Sequence, residues 1–324
     1  MPEIKSNRVT NFLSSDIDFH DSERLESGIV GLDNSIKGFR RSGTYLVAGV
    51  EKSGKSSFLM AMMLHFLSLG KKVAIFDTEL TGLQFYGRLT ALENSITVQE
   101  AEKNTDLVIS TRNKYEGKLF RFDSTKLSKN GKFDINLTLD LANKVVSDLA
   151  ADVLIFDNLT TYQSQSSLTT YTDLPAAMTQ IITLTKQLKV WSFVVTHAKD
   201  SLKISEIPKA TKAFIDDNEP QKIFSNSIAL IRKPTSADIY GGAQAKSQFS
   251  GTLIIWRPFQ EFRDFNNIEG LTSIIVSGFR DGGRKDILMV FDEQSISFTE
   301  TTLDMISFNQ KLQAVNNKGI PTQD

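Results

Sequence analysis

The sequence predicts an α/β protein with a mostly parallel central sheet, flanked by helices and continued by a C-terminal antiparallel extension. Three observations lead there. Runs 44–48, 73–77, 153–156 and 191–196 are short, β-prone and apolar on both faces. Stretches with helical spacing of apolar residues alternate with them, the pattern of a parallel sheet covered by helices. After residue 250 the pattern changes, and 252–256, 272–276, 287–291 and 295–298 read as closely spaced strands.

Taken in order, residues 1–26 are polar and mixed in charge and read as a mobile or partner-docking arm. From Ser27 a Ser-Gly-Ile-Val-Gly-Leu-Asp run leads through Gly38 and Gly43 into strand 44–48. A glycine turn follows, then a helix from Ser56 to Leu69. Strand 73–77 precedes helices over 83–92 and 98–115. Strand 119–122, an amphipathic helix over 137–149 and strand 153–156 come next. Residues 173–188 read as a helix, with Pro175 near the first turn, where a missing N–H costs little. Residues 200–250 carry few periodic apolar runs, and so long a connection is usually functional or disordered. A polar tail follows Met305.

Bulk properties narrow the function classes. The chain has 324 residues, 40% hydrophobic and 23% charged, ample for a packed core. It has no cysteine, which excludes thiol catalysis, cysteine-ligated zinc and disulfides. The formal net charge is −1, so nucleic acid would have to be met by a local basic patch, not by global charge. There is no secretory leader and no run of the roughly 18 apolar residues that spans a membrane. A cytoplasmic protein is expected.

The chemistry is concentrated at strand ends. Gly49-Val-Glu-Lys-Ser53-Gly54-Lys55-Ser56 fits the phosphate-binding loop G-x-x-x-x-G-K-[ST] at each defined position, with Ser57 following. Glycines let the backbone wrap a phosphate with N–H groups pointing inward, and the next helix offers its N-terminus to the anion. Lys55 would reach the β- and γ-phosphates of ATP, and Ser56 would ligate Mg²⁺. An apolar strand before the motif and a helix after it supply the required context. Asp157, ending strand 153–156, is the candidate second holder of the magnesium. Glu79, just past strand 73–77, is the candidate general base for the attacking water, with Asp77 as its competitor. His197 follows strand 191–196 and is the candidate sensor of the γ-phosphate.

These residues, taken with Asp238-x-x-Gly-Gly-Ala-x-Ala and Phe279-Arg280-x-Gly-Gly, resemble the RecA-like motor domain of DnaB-type ring helicases, including phage and plasmid members. The resemblance covers about residues 25–300. It implies a RecA-like P-loop ATPase domain over 27–304 and a hexameric ring with ATP between subunits. It also implies an arginine finger, Arg280, reaching the neighbour's γ-phosphate, worth roughly 10³–10⁵ in rate. Arg88 matches a recurrent, structural arginine of that family. Gly278 stands where the family usually has lysine, and Arg284 or Lys285 could compensate. A collar domain and a fused primase have no room here, so a loader or primase in trans is implied.

In such proteins, loops after the fourth and fifth strands grip single-stranded DNA. Here those are 160–172, with Tyr162 and Tyr171, and part of 199–250. Lys199, Lys233 and Lys246 are the candidate contacts, and their binding would fall as salt rises. Three functions stay open: an ATP-driven helicase or translocase, a recombination ATPase forming filaments, and a regulatory ATPase in which ATP controls assembly.

Overall fold

The computed structural model describes residues 22–129, 132–160, 170–198, 233–239, 248–257, 270–279 and 286–301. The chain opens with a short ribbon, β1 (Arg24–Leu25) against β2 (Phe39–Arg40), enclosing helix α1 (Val30–Ile36). The P-loop strand β3 (Thr44–Gly49) runs into α2 (Lys55–Ser68) and then β4 (Val73–Asp77). Three helices follow, α3 (Gly82–Asn94), α4 (Val98–Lys103) and α5 (Thr105–Lys114), before β5 (Leu119–Phe122). A short α6 (Ser124–Leu127) and the ribbon of β6 (Ser128–Lys129) and β7 (Lys132–Phe133) lead to α7 (Ile135–Leu149). Then come β8 (Val153–Asp157), α8 (Thr170–Leu188) and β9 (Trp191–His197). The last four strands are β10 (Gly251–Trp256), β11 (Leu271–Ser277), β12 (Ile287–Asp292) and β13 (Ser297–Glu300).

Among the described residues, nine strands form the main sheet, in the order β13-β12-β11-β10-β3-β9-β8-β4-β5. From β10 to β5 every neighbouring pair is parallel, and from β10 to β13 every pair is antiparallel. The expected fold class is therefore observed, with one change of detail. Strand β10 was expected in the antiparallel extension, yet it lies parallel to β3, with Gly251 opposite Tyr45. Its spacing in sequence resembles that of β11, but β3 has an edge that only a parallel strand fills here.

Alternation along the strands explains burial on both faces. In β3, Tyr45 and Val47 enter one core while Leu46 and Ala48 enter the other. The split repeats in β4, with Val73 and Ile75 against Ala74 and Phe76, and in β8, with Val153 and Ile155 against Leu154 and Phe156. Helices α2 and α3 cover the first core through Phe58, Met62, Phe66, Phe85 and Leu89. Helices α7 and α8 cover the second through Ala142, Val145, Met178 and Ile181. Helix α2 is buried along most of its length, which suits a helix apolar nearly all round.

Two local readings change. The expected helix over 98–115 is two helices. Thr97 and Glu100 form a capping box at the start of α4, and Asn104 ends it at φ −104° and ψ 79°. The Asn104 side chain then accepts from Leu107 N at 3.1 Å and starts α5. Helix α1 was not expected, since Gly, Asp, Asn and Ser crowd its few turns. Burial of Leu32 and Ile36, and the Asp33 carboxylate accepting from Ser27 N (2.7 Å) and Gly28 N (3.2 Å), hold it instead. Helix α8 begins earlier than expected and includes Pro175.

Phe76 stacks between Phe122 and Phe156, at 5.1 and 4.9 Å between ring centroids, and is 1% exposed. Phe76→Ala should therefore destabilise the domain by about 3–5 kcal/mol. Urea denaturation of both proteins measures this, and a loss below about 1 kcal/mol would contradict the packing described.

Candidate functional site

The phosphate-binding turn joins β3 to α2 at the carboxyl end of the sheet. Gly49 is required by contact: a Cβ there would lie 2.5 Å from Ser53 Oγ and 2.7 Å from the Ile255 carbonyl. Gly54 is required by conformation, with φ at 90°, where L side chains are strained. The first N–H groups of a helix lack intrahelical acceptors, and here they belong to Lys55, Ser56 and Ser57. Ser53 is fully buried, and its Oγ has no partner among the described residues.

Beneath the turn lie two buried charges. Lys55 is 6% exposed and its Nζ donates to the Val50 carbonyl at 2.6 Å. Burial lowers its pKa to about 8, opposed by the charges of Asp157, Glu79 and Glu51. Asp157 ends β8, and burial raises its carboxyl pKa to about 7, against a hydrogen bond from Ser56. Its Oδ1 has no partner among the described residues. A Ser hydroxyl on a carboxylate that keeps a bare oxygen is a donor set suited to a hard divalent cation. Among the described residues no group of three or more His, Asp or Glu could hold a metal, so a cation here would draw its other ligands from phosphate and water.

The acids at the end of β4 and just past it divide their labour. Asp77 is 2% exposed and fully engaged: Oδ1 accepts from Glu79 N and Leu80 N, each at 3.0 Å. Its Oδ2 accepts from Arg121 Nε at 3.1 Å and Nη2 at 2.8 Å. Arg121 also donates to the Leu80 carbonyl and sits over the Phe85 ring, its guanidinium carbon 5.0 Å from the centroid. Asp77 is thereby removed as the competing base: its lone pairs are spent shaping the turn that carries Glu79. Glu79 itself is exposed, with Oε1 accepting from Asn158 Nδ2 at 2.9 Å.

His197 ends β9, half-buried, and its Nε2 lies 2.7 Å from the same Asn158 Nδ2. Burial, then the charge of Lys55, holds its pKa below the ordinary 6.5, so the ring is neutral at neutral pH. Asn158 was not foreseen. It directly follows the strand-end aspartate, and no motif marks an asparagine there. Arg257 was missed too, although a charged residue closing an apolar strand is a visible signal. It is 2% exposed, donates to the Lys52 carbonyl (3.3 Å) and to Glu293 (2.7 Å), and lies 4.8 Å over Phe291. Phe291 and Phe298 pack beneath Gly54, so the antiparallel extension supports the turn from below.

The structure thus brings Gly49, Ser53, Gly54, Lys55, Ser56, Ser57, Glu79, Asp157 and His197 to one end of the sheet. Lys233 is described but pairs with Asp286, so its charge is matched within the chain. Lys199, Lys246, Arg280, Arg284, Lys285, Tyr162 and the side chain of Tyr171 lie outside the described residues. Gly278, in place of the lysine, has φ at 70°, a conformation suited to glycine.

A glycine turn closing over a buried lysine, with a strand-end aspartate beside it at the carboxyl edge of a parallel sheet, defines a RecA-like P-loop nucleotide hydrolase. The family model for the DnaB-like helicase C terminal domain matches residues 24–300, and the chain belongs to that family. It is an ATP-dependent helicase domain of the replicative type. Among solved structures, an ATPase domain aligns at a TM-score of 0.65 and 12% identity, over 93% of this chain and 99% of that one. A DnaB-like replicative helicase, solved in a study of its interactions with primase, aligns at 0.66 and 13% identity, over 92% of this chain and 68% of that one. At such identities the likeness is one of fold. No curated protein sequence matches the chain.

The Asp157 shift has a stability consequence. A carboxyl whose pKa rises from 3.8 to about 7 on folding binds more protons folded than unfolded, so its contribution to stability falls as pH rises across that window. Asp157→Asn removes this slope. Urea midpoints measured along a pH series should show the variant gaining on the parent as pH rises from 3.8 to about 7. A constant difference would contradict the buried, destabilised carboxylate.

Proposed function

We propose that this domain is the motor of a ring-forming, single-stranded-DNA translocase that hydrolyses ATP with Mg²⁺ between subunits. The convergence of Lys55, Asp157, Glu79 and His197 at the ends of four parallel strands carries the reading. Gly49, Ser53, Gly54, Lys55, Ser56 and Ser57 cradle the phosphates. Ser56 and Asp157 hold the magnesium, which fits the bare buried Oδ1 of Asp157 and the Ser56 bond to its carboxylate. When bound, the cation would neutralise charge on the phosphates. Glu79 is exposed at the rim, where it can accept a proton from the attacking water. His197 senses the γ-phosphate.

Arg280 completes the site from a neighbouring subunit. Phe279 stacks on Tyr45 at 5.7 Å, near the start of β3, whereas the P-loop begins at its end. Four residue steps along the strand, from Tyr45 to Gly49, separate them by about 13 Å. Phe279, the residue before Arg280 in the sequence, is thus anchored at the opposite end of the sheet from its own chain's cradle, which supports action in trans. Residues 27–304 form the ATPase domain, with 1–26 as an arm and 305–324 as a tail. The ring is a homohexamer acting in the cytoplasm, with a loader or primase as a separate partner. Lys199 and Lys246 meet DNA, with a smaller share for Lys233 because Asp286 already pairs with it.

The decisive measurement is ATP turnover with and without single-stranded DNA across a range of protein concentration. Stimulation by DNA that rises with protein concentration is expected, and turnover indifferent to both would point to a regulatory ATPase. Lys55→Ala should abolish nucleotide binding or turnover, whereas Glu79→Gln should bind ATP but not hydrolyse it. Arg280→Ala should keep nucleotide affinity yet fail alone, and mixing it with Lys55→Ala protein should restore activity at mixed interfaces. Failure to recover would argue against a finger in trans.

A further inference from the structure

One buried side chain touches both the exposed glutamate and the half-buried histidine. Asn158 is 3% exposed and follows Asp157 at the end of β8, between β4 and β9 in the sheet. Its Nδ2 lies 2.9 Å from Glu79 Oε1 and 2.7 Å from His197 Nε2. Its Oδ1 accepts from Thr160 N at 2.8 Å and from Thr160 Oγ1 at 2.5 Å. Because a backbone N–H can only donate, the atom facing Thr160 N must be the amide oxygen. The NH₂ therefore faces the glutamate and the histidine.

The surroundings leave the amide little freedom. Asn158 N donates to Thr78 Oγ1 at 3.2 Å, one residue before Glu79. His197 N donates to Thr160 Oγ1 at 3.2 Å, so the threonine that orients the amide also ties down the backbone of the histidine. An amide nitrogen has two N–H groups, and here each has a single acceptor. With Nε2 accepting, the neutral ring carries its proton on Nδ1. His197 cannot turn Nε2 towards a phosphate oxygen without both changing its tautomer or charge and releasing one Asn158 N–H.

We propose that Asn158 is a positioning residue that couples Glu79 to His197, so that engagement of the γ-phosphate by the histidine and placement of the glutamate towards water are not independent. The inference rests on the reading of Glu79 as base and His197 as sensor. It assigns Asn158 no contact with substrate. The amide acts through the two side chains that it holds.

The test compares kcat and KM for ATP, with magnesium and a single-stranded oligonucleotide, in Asn158→Ala, Asn158→Asp, His197→Ala, Glu79→Gln and the double variant of Asn158→Ala with His197→Ala. Asn158→Asp keeps the size and the acceptor for Thr160 but replaces the donor, which guards against a mere packing defect. Both Asn158 variants should lose about 10- to 100-fold in kcat, with KM within about twofold of the parent. The double variant should be no slower than the slower single variant, because the two residues act as a unit. Parental kcat in Asn158→Asp, or losses that multiply in the double variant, overturns the proposal. Parental turnover in Glu79→Gln overturns the assignment of the base, and the coupling with it. An inactive Glu79→Gln beside a fully active Asn158→Asp overturns the coupling alone.

Discussion

A lysine ammonium and an aspartate carboxylate buried beneath one glycine turn are the constraint on which the rest of this structure depends. Neither charge is well served by the protein alone. Lys55 has the Val50 carbonyl and the attraction of three acids, yet burial still lowers its pKa to about 8. Asp157 has the Ser56 hydroxyl, and burial still lifts its carboxyl to about 7. Charges taken out of water at such cost persist only where the surrounding fold over-determines their places. On the proposed reading, a polyanion would complement the lysine and the helix N-terminus, and a cation the Asp157 carboxylate.

The scaffold meets that demand through two cores and a shelf. Each parallel strand feeds alternate side chains to opposite faces, so its end is held from both sides of the sheet. Trp191 shows the same care at the far end of β9. Its ring lies 4.9 Å from both Arg41 and Lys71, and both cations pair with Glu23. The P-loop itself has a third support. Phe291 and Phe298 fill the space under Gly54, and Arg257 ties the Lys52 carbonyl to Glu293. The antiparallel strands thus belong to the site's architecture, since they supply the floor on which the turn rests.

Much of this was legible in the sequence because local pattern and chemistry agree. Strands 44–49, 73–77, 153–157 and 191–197 are apolar enough to be recognised singly, and the glycine-lysine-serine spacing has few other physical uses. What escaped reading depends on tertiary placement. Helix α1 has weak propensity and exists because Leu32 and Ile36 are buried and Asp33 ties its entry. The parallel pairing of β10 follows from a free edge on β3, which no residue of β10 announces. Asp77 and Glu79 look alike as strand-end acids, and only the position of Arg121, more than forty residues onward at the end of a neighbouring strand, separates their roles. Asn158 was invisible for the same reason: its partners come from two other strands.

The two ends of the sheet carry different halves of one chemical demand. The carboxyl ends of β3, β4, β8 and β9 present the cradle and the proposed magnesium ligands, base and sensor. The turn leaving β11 lies at the other end, since β11 runs antiparallel to β10 and pairs Ser277 with Thr252 near the beginning of that strand. Phe279 is locked there against Tyr45 and under Gly251. Head-to-tail packing of identical copies would bring one end against the other, and such heterologous contacts close into rings when the rotation permits. On the proposed reading, assembly is therefore a condition of hydrolysis: a single domain holds the substrate-binding half of the site, and its neighbour brings the cationic half.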